Sequence, residues 1–170
     1  MAVKPRVVVD TNVLLSGLFW RGTPHLVLEL AKEKYIKLYL PASVINETRR
    51  VIREIKPEGI TLFDEFLKHY AAELKFKKKD FETNLEKAKK LLQDPSDTPI
   101  LASLMSNPPD FFVSGDQDFL IHKVGEISRL NVLTSRAFLE ECFILYGKKL
   151  SHNHPELHTK IMIHLTAEQT

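Results

Sequence analysis

Val7-Val8-Val9-Asp10 decides the fold. Three β-branched residues in a row, with no polar alternation, read as a strand buried on both faces, which is the habit of a parallel sheet. An aspartate at the carboxyl end of such a strand sits where open parallel sheets build their sites. Three other short apolar runs follow the same plan: residues 38–40 (closed by Pro41), 111–114 and 131–133.

Between these runs the apolar spacing turns helical. Thr23-Pro24 reads as the cap and first turn of a helix whose Leu26, Val27 and Leu30 face inward. Ser43 lies near the start of another, with an apolar stripe of Val44, Thr48, Val51, Ile52 and Ile55, and Lys56-Pro57-Glu58-Gly59 stops it. Residues 60–74 and 80–92 carry Leu62, Phe66 and Tyr70, then Phe81, Leu85, Ala88 and Leu92, at helical spacing. The turn Asp94-Pro95-Ser96-Asp97 leads into a helix over 99–106, and Gly115-Asp116-Gln117-Asp118 is the turn after the third strand. Ser135 is expected to cap a helix that runs to Tyr146 and is ended by Gly147. Strands alternating with helices give an α/β, three-layer sandwich: a central, mostly parallel sheet of four to five strands flanked by helices.

At 170 residues the chain is one ordinary domain, expected over 1–148, with a His-rich tail over 149–170. The tail carries His152, His154, His158 and His164, and the alternation over 159–165 suits a strand in an appendage outside the core. A hydrophobic fraction of 44% with 27% charged residues is that of a globular protein and does not suggest disorder. No apolar stretch is long enough to span a bilayer, and the N-terminus lacks a signal-peptide region, so no membrane role is expected. The single cysteine, Cys142, excludes an internal disulfide and reads as a small core residue in a reducing cytoplasm. A net charge of +2 does not by itself point to nucleic acid.

Four carboxylates far apart in sequence fall at strand ends or helix starts that face one rim of such a sheet: Asp10, Glu47, Asp97 and Asp116. Brought together unpaired they repel, and a divalent cation removes that cost. Oxygen-only ligands suit Mg2+ or Mn2+, which keep room for phosphate oxygens, so the chemistry implied is phosphate-ester hydrolysis. Taken singly, each acid is as well explained as a helix cap or a solvated loop residue.

The segment from Val7 to Gly17 (VVVDTNVLLSG) resembles the opening motif of PIN-domain nucleases, in particular the branch of toxins from toxin–antitoxin pairs. Pro41-Ala42-Ser43-Val44-Ile45-Asn46-Glu47 is similar to the second motif of that family, Asp94-Pro95-Ser96-Asp97-Thr98-Pro99-Ile100-Leu101-Ala102 to the third, and Val113-Ser114-Gly115-Asp116-Gln117-Asp118-Phe119-Leu120 to the fourth. Val132-Leu133-Thr134-Ser135-Arg136-Ala137-Phe138-Leu139 looks like its closing strand and helix. The ordered set spans residues 7–146. The resemblance implies that Asp10, Glu47, Asp97 and Asp116 are catalytic and metal-binding, with Asp118 a fifth acid at the metal. It implies that Thr11, Asn12 and Ser114 orient the carboxylates or water around it. It also implies cleavage of single-stranded RNA to a 5′-phosphate and a 3′-hydroxyl, an antitoxin partner and a homodimer.

Three residues outside the acids are candidate RNA contacts. Arg50, three residues after Glu47, would hold a phosphate, and Trp20 with Arg21, in an aromatic–basic loop expected near the site rim, would stack an RNA base. A surface ion pair for Arg50 explains it equally well. Lys75, Lys77, Lys78, Lys79, Lys87, Lys89 and Lys90 make the stretch around 76–92 more basic than the family pattern; a solvated helix face is the simpler account. A transition-metal site among the tail histidines is disfavoured because no fixed scaffold is evident. Phosphatases that form an aspartyl-phosphate are discounted, because the acid they need two residues after the first aspartate is Asn12 here. A PIN-like module that binds RNA or protein without cutting, or a housekeeping RNA-processing nuclease, remains the alternative.

Overall fold

In the computed structural model, which describes residues 3–120 and 122–167, five strands form one all-parallel sheet. They are β1 (Arg6–Val9), β2 (Lys37–Leu40), β3 (Ala71–Glu73), β4 (Phe111–Val113) and β5 (Val132–Leu133), in the spatial order β3-β2-β1-β4-β5. β1 is central: Val7 stands opposite Leu38 on one side and Phe111 on the other. Val7, Val8 and Val9 have no solvent exposure, as expected of a strand covered on both faces.

Ten helices cover the sheet among the described residues: α1 (Thr11–Phe19), α2 (Thr23–Lys32), α3 (Ala42–Ile55), α4 (Ile60–Tyr70), α5 (Lys78–Lys89), α6 (Thr98–Ser106), α7 (Gln117–Leu120), α8 (His122–Ser128), α9 (Ser135–Asn153) and α10 (Pro155–Thr166). The core joins the strands to Leu14, Leu28, Leu30, Ile52, Phe63, Leu101, Leu104 and Phe138. Among the described residues, no helix is long and apolar enough to cross a membrane. Cys142 is buried in this core, and burial pushes its thiol up to about 12, with Glu141 adding to the shift.

Several local expectations need correction. The helix expected over 60–74 stops at Tyr70, and Ala71–Glu73 becomes the edge strand β3, paired with Leu38–Leu40. Ala-Ala-Glu has little strand propensity; the pairing is imposed by the open edge of β2. Thr23 is the first helical residue rather than the cap, since Gly22 holds that position without a side-chain bond. Thr134, not Ser135, caps α9, its hydroxyl accepting the N–H of Ala137 at 3.1 Å. Ile55, expected inside, is 63% exposed.

The largest departures lie at the C-terminal end. Gly147 does not end α9, which runs on to Asn153. A mid-helix glycine costs only about 1 kcal/mol relative to alanine, and burial of Leu150 in the following turn offsets it. The expected boundary after 148 therefore falls inside a continuous helix. The alternating segment 159–165 is helical: Pro155 opens α10 at a favourable first-turn position, and Leu157 and Ile161, four residues apart, are its buried positions. α10 packs on α9 and α2, so the tail is built into the fold. His154 lies 3.2 Å from Glu33 and edge-on to Tyr35, and His158 stacks on Phe143.

Candidate active site

The strand order places a reversal between β1 and β4. From β1 the chain winds outward through β2 to β3, then returns to β4 on the other side of β1 and continues to β5. Connections leaving two neighbouring strands in opposite directions open a crevice at their carboxyl ends. Asp10 and Ser114 are the first residues past β1 and β4, and Asp10 continues the ladder by donating its N–H to Val113 O at 3.1 Å.

Asp10 is fixed from two directions. It is the N-cap of α1, accepting the N–H of Val13 at 2.8 Å on Oδ1, and its Oδ2 accepts the hydroxyl of Ser114. Ser114 Oγ in turn accepts the N–H of Asp116 at 3.0 Å, and Asp116 Oδ1 accepts the N–H of Asp118 at 2.9 Å. Sequence reading missed both α1, which starts at the residue after Asp10, and the cap. The signal was present in Asp10 directly before Thr11-Asn12-Val13, an acid at the cap of an apolar turn.

The remaining acids arrive from three helices. One oxygen each of Asp97, Asp116 and Asp118 lies within 4.8 Å of the others. Asp97 is the last residue of the short turn Pro95–Asp97 and immediately precedes α6, and Asp118 is in the first turn of α7. Glu47, on α3, accepts the hydroxyl of buried Thr11 at 2.9 Å. Asp94, which opens the third motif, is not among the expected site residues but joins the site. Its N–H donates to Asp118 Oδ2 at 3.1 Å, and its own carboxylate, held low by the N–H and hydroxyl of Ser96, closes that turn.

The electrostatics record this convergence. Burial raises the carboxyl of Asp10 above the usual range against the pull of the Ser114 and Val13 hydrogen bonds, and the charges of Asp116 and Glu47 raise it further. Asp97 is pushed up to about 6, first by burial and then by Asp116, Asp94, Asp118 and Glu47. Among the described residues no lysine, arginine or histidine is ion-paired to any of these five acids. The donor set is therefore carboxylate oxygen with uncompensated negative charge, and it fits a hard divalent cation.

The other candidates are more scattered. Asn12 is exposed at the start of α1. Arg50 is exposed and pairs with Glu54 one turn on, at 2.8 Å. Trp20 and Arg21 lie at the far end of α1, about 14 Å from Asp10 by helix rise. Phe19 packs against Gly59 and Lys56 there, and Trp20 is 58% exposed.

A family model described as PIN domain matches residues 6–118. Among curated proteins there is no match. Among solved structures the chain is similar to the crystal structure of VapBC2 from Rickettsia felis bound to a DNA fragment from their promoter. The TM-score is 0.56 at 19% identity, covering 76% of this chain and 98% of that one, a likeness of fold. The matched residues hold β1 to the first turn of α7 and all five acids of the crevice, and the chain belongs to the PIN-domain family.

Proposed function

We propose that the protein is a divalent-metal-dependent endoribonuclease that hydrolyses single-stranded RNA, and that it serves as the toxin of a toxin–antitoxin pair. The observation that carries the reading is the meeting of five unpaired acids at the β1–β4 crevice, with Asp97 pushed up to about 6 by its neighbours. A divalent cation bound among them would offset that cost. Membership of the family adds weight, and so does the fold likeness to VapBC2, which also supports a partner protein here.

Asp97, Asp116 and Asp118 would hold Mg2+ or Mn2+, with Asp10 and Glu47 beside them. When bound, such an ion lowers the pKa of water and draws charge from a phosphodiester. The chain's own residues do the rest. Ser114 and the Val13 N–H hold the Asp10 carboxylate in one orientation, and Thr11 does the same for Glu47. Asn12, exposed beside Asp10, would orient substrate or water at the rim. Hydrolysis would leave a 5′-phosphate and a 3′-hydroxyl. Arg50 would exchange its weak surface partner Glu54 for a phosphate, and Trp20 with Arg21 would meet only nucleotides remote from the scissile bond.

The test is cleavage of several single-stranded RNAs with Mn2+, Mg2+ or EDTA by the parent, Asp10→Asn and Asp116→Asn. Metal-dependent cutting by the parent and none by folded variants is expected; a variant that cuts as fast as the parent overturns the metal-site assignment. An antitoxin should place a basic side chain among the acids. Growth arrest on expression of the chain alone, relieved by Asp116→Asn or by the protein encoded beside it, is the cellular expectation. Absence of arrest would favour a housekeeping RNA-processing enzyme instead. A homodimer belongs to the same reading and is checked by mass in solution.

A further inference from the structure

Residues 75–90 hold seven lysines against three acids, a net of +4 in a chain whose total is +2. The inner face of α5 is set by Phe81, Asn84, Leu85 and Ala88, which are partly or fully buried at helical spacing, and Asn84 donates to Ser106 Oγ of α6 at 3.0 Å. The lysines divide into two groups around this axis. Lys78 and Lys89 lie on one flank, paired with Glu82 at 3.8 Å and Glu86 at 2.9 Å. Lys79, Lys87 and Lys90 project on the outward side, exposed and without an acidic partner among the described residues.

The row is joined to the acid cluster. Lys90 caps the C-terminal end of α5 and is four residues from Asp94, whose N–H donates to Asp118. From there the row runs about 16 Å along the helix to Lys79, and Lys77 and Lys75 continue it past the first turn. Helix stability accounts for only half of the pattern: Lys87, Lys89 and Lys90 suit the negative end of the helix dipole, but the N-terminal lysines do not. Lys77, Lys78 and Lys79 stand at the positive end of the helix dipole, where cations are unfavourable and acids are preferred. A bound polyanion would offset both this misfit and the mutual repulsion.

We propose that the outward face of α5 is a track for the phosphate backbone of single-stranded RNA, with Lys90, Lys87 and Lys79 meeting phosphates along one strand on one side of the scissile bond. This rests on the ribonuclease reading above and assigns that site the strand it admits. The contacts are to phosphate alone, so the track would add affinity and position without choosing sequence.

The test is equilibrium binding of a fluorescent single-stranded RNA oligonucleotide, in EDTA to prevent cutting, across a salt series. It compares the intact chain, Lys79→Gln/Lys87→Gln/Lys90→Gln, and a control with equal charge loss, Lys68→Gln/Lys148→Gln/Lys160→Gln. The track variant should bind roughly tenfold or more weakly at 0.1 M salt, with a log–log salt slope shallower by about 2, and the control should match the parent. With Mn2+, the track variant should show a raised KM on RNA at unchanged kcat, and unchanged hydrolysis of bis(p-nitrophenyl) phosphate, which is too small to reach α5. Equal binding by track variant and parent, or equal loss in track variant and control, overturns the track. The binding arm decides this even if no preparation cuts RNA, an outcome that would count against the nuclease reading alone.

Discussion

The Ser114 hydroxyl ties the ends of β1 and β4 together: it donates to Asp10 Oδ2 and accepts the N–H of Asp116 at 3.0 Å. One buried side chain thus sets the orientation of the first acid and the backbone of the fourth. Ser114→Ala should lower metal affinity and cleavage by roughly 10–100-fold, the usual effect of losing a group that orients a ligand. Titration with Mn2+ followed by thermal shift, beside cleavage rates, checks it; unchanged affinity would mean that the hydroxyl serves the fold alone.

Asp10 has two duties that substitution can separate. Asparagine still caps a helix, so Asp10→Asn should keep the parent's thermal stability while losing cleavage. Asp10→Ala removes the cap as well and should cost about 1 kcal/mol in stability. Thermal melts of both variants, run with an RNA assay, read the two effects independently.

Asp97 should make the metal-free protein less stable as pH rises. Its carboxyl is pushed up to about 6 when folded, against an ordinary value of 3.8, so between these values the folded state holds a proton that the unfolded chain releases. The penalty is absent near pH 3.8, grows through the window and is complete above pH 6. Asp97→Asn carries no charge, and in EDTA at pH 7.5 it should be more stable than the parent by about 1 kcal/mol after solvent screening, an advantage that vanishes near pH 4. Added Mn2+ should reverse the order at pH 7.5. Denaturant melts at the two pH values, with and without metal, decide the point.

α10 should behave as core. Ile161 has no solvent exposure between α9 and α2, so Ile161→Ala should cost about 2–4 kcal/mol, whereas exposed Ile163→Ala should cost little. Equal melting temperatures for the two variants would show that α10 is only loosely docked.

The strands whose apolar runs are buried on both faces were legible, because burial leaves an unbroken β-branched or aromatic signature, as in Val7–Val9 and Phe111–Val113. β3 was not, because Ala-Ala-Glu becomes a strand only through the partner edge that β2 offers. The C-terminal segment misled for a related reason: Ile161, Ile163 and Leu165 alternate as in a strand, while the positions that bury, Leu157 and Ile161, follow the helical period. In the site, the acids stand at strand ends and helix starts that sequence can mark. Their hydrogen-bond chain through Ser114, and the part played by Asp94, depend on how β1 and β4 are juxtaposed and could be seen only in three dimensions.

The central place of β1 also sets a timetable for synthesis. Its pairing with β2 closes a short loop, but its pairing with β4 joins residues about a hundred apart, the separation of Asp10 from Ser114 being 104. Such distant pairing is slow to form, and no partial chain lacking β4 can bring Asp10 and Glu47 to Asp116. At roughly 5–20 residues per second, the ribosome keeps the two halves of the acid cluster apart for about 5–20 s. A protein of this topology therefore assembles its acid cluster only after β4 has been made.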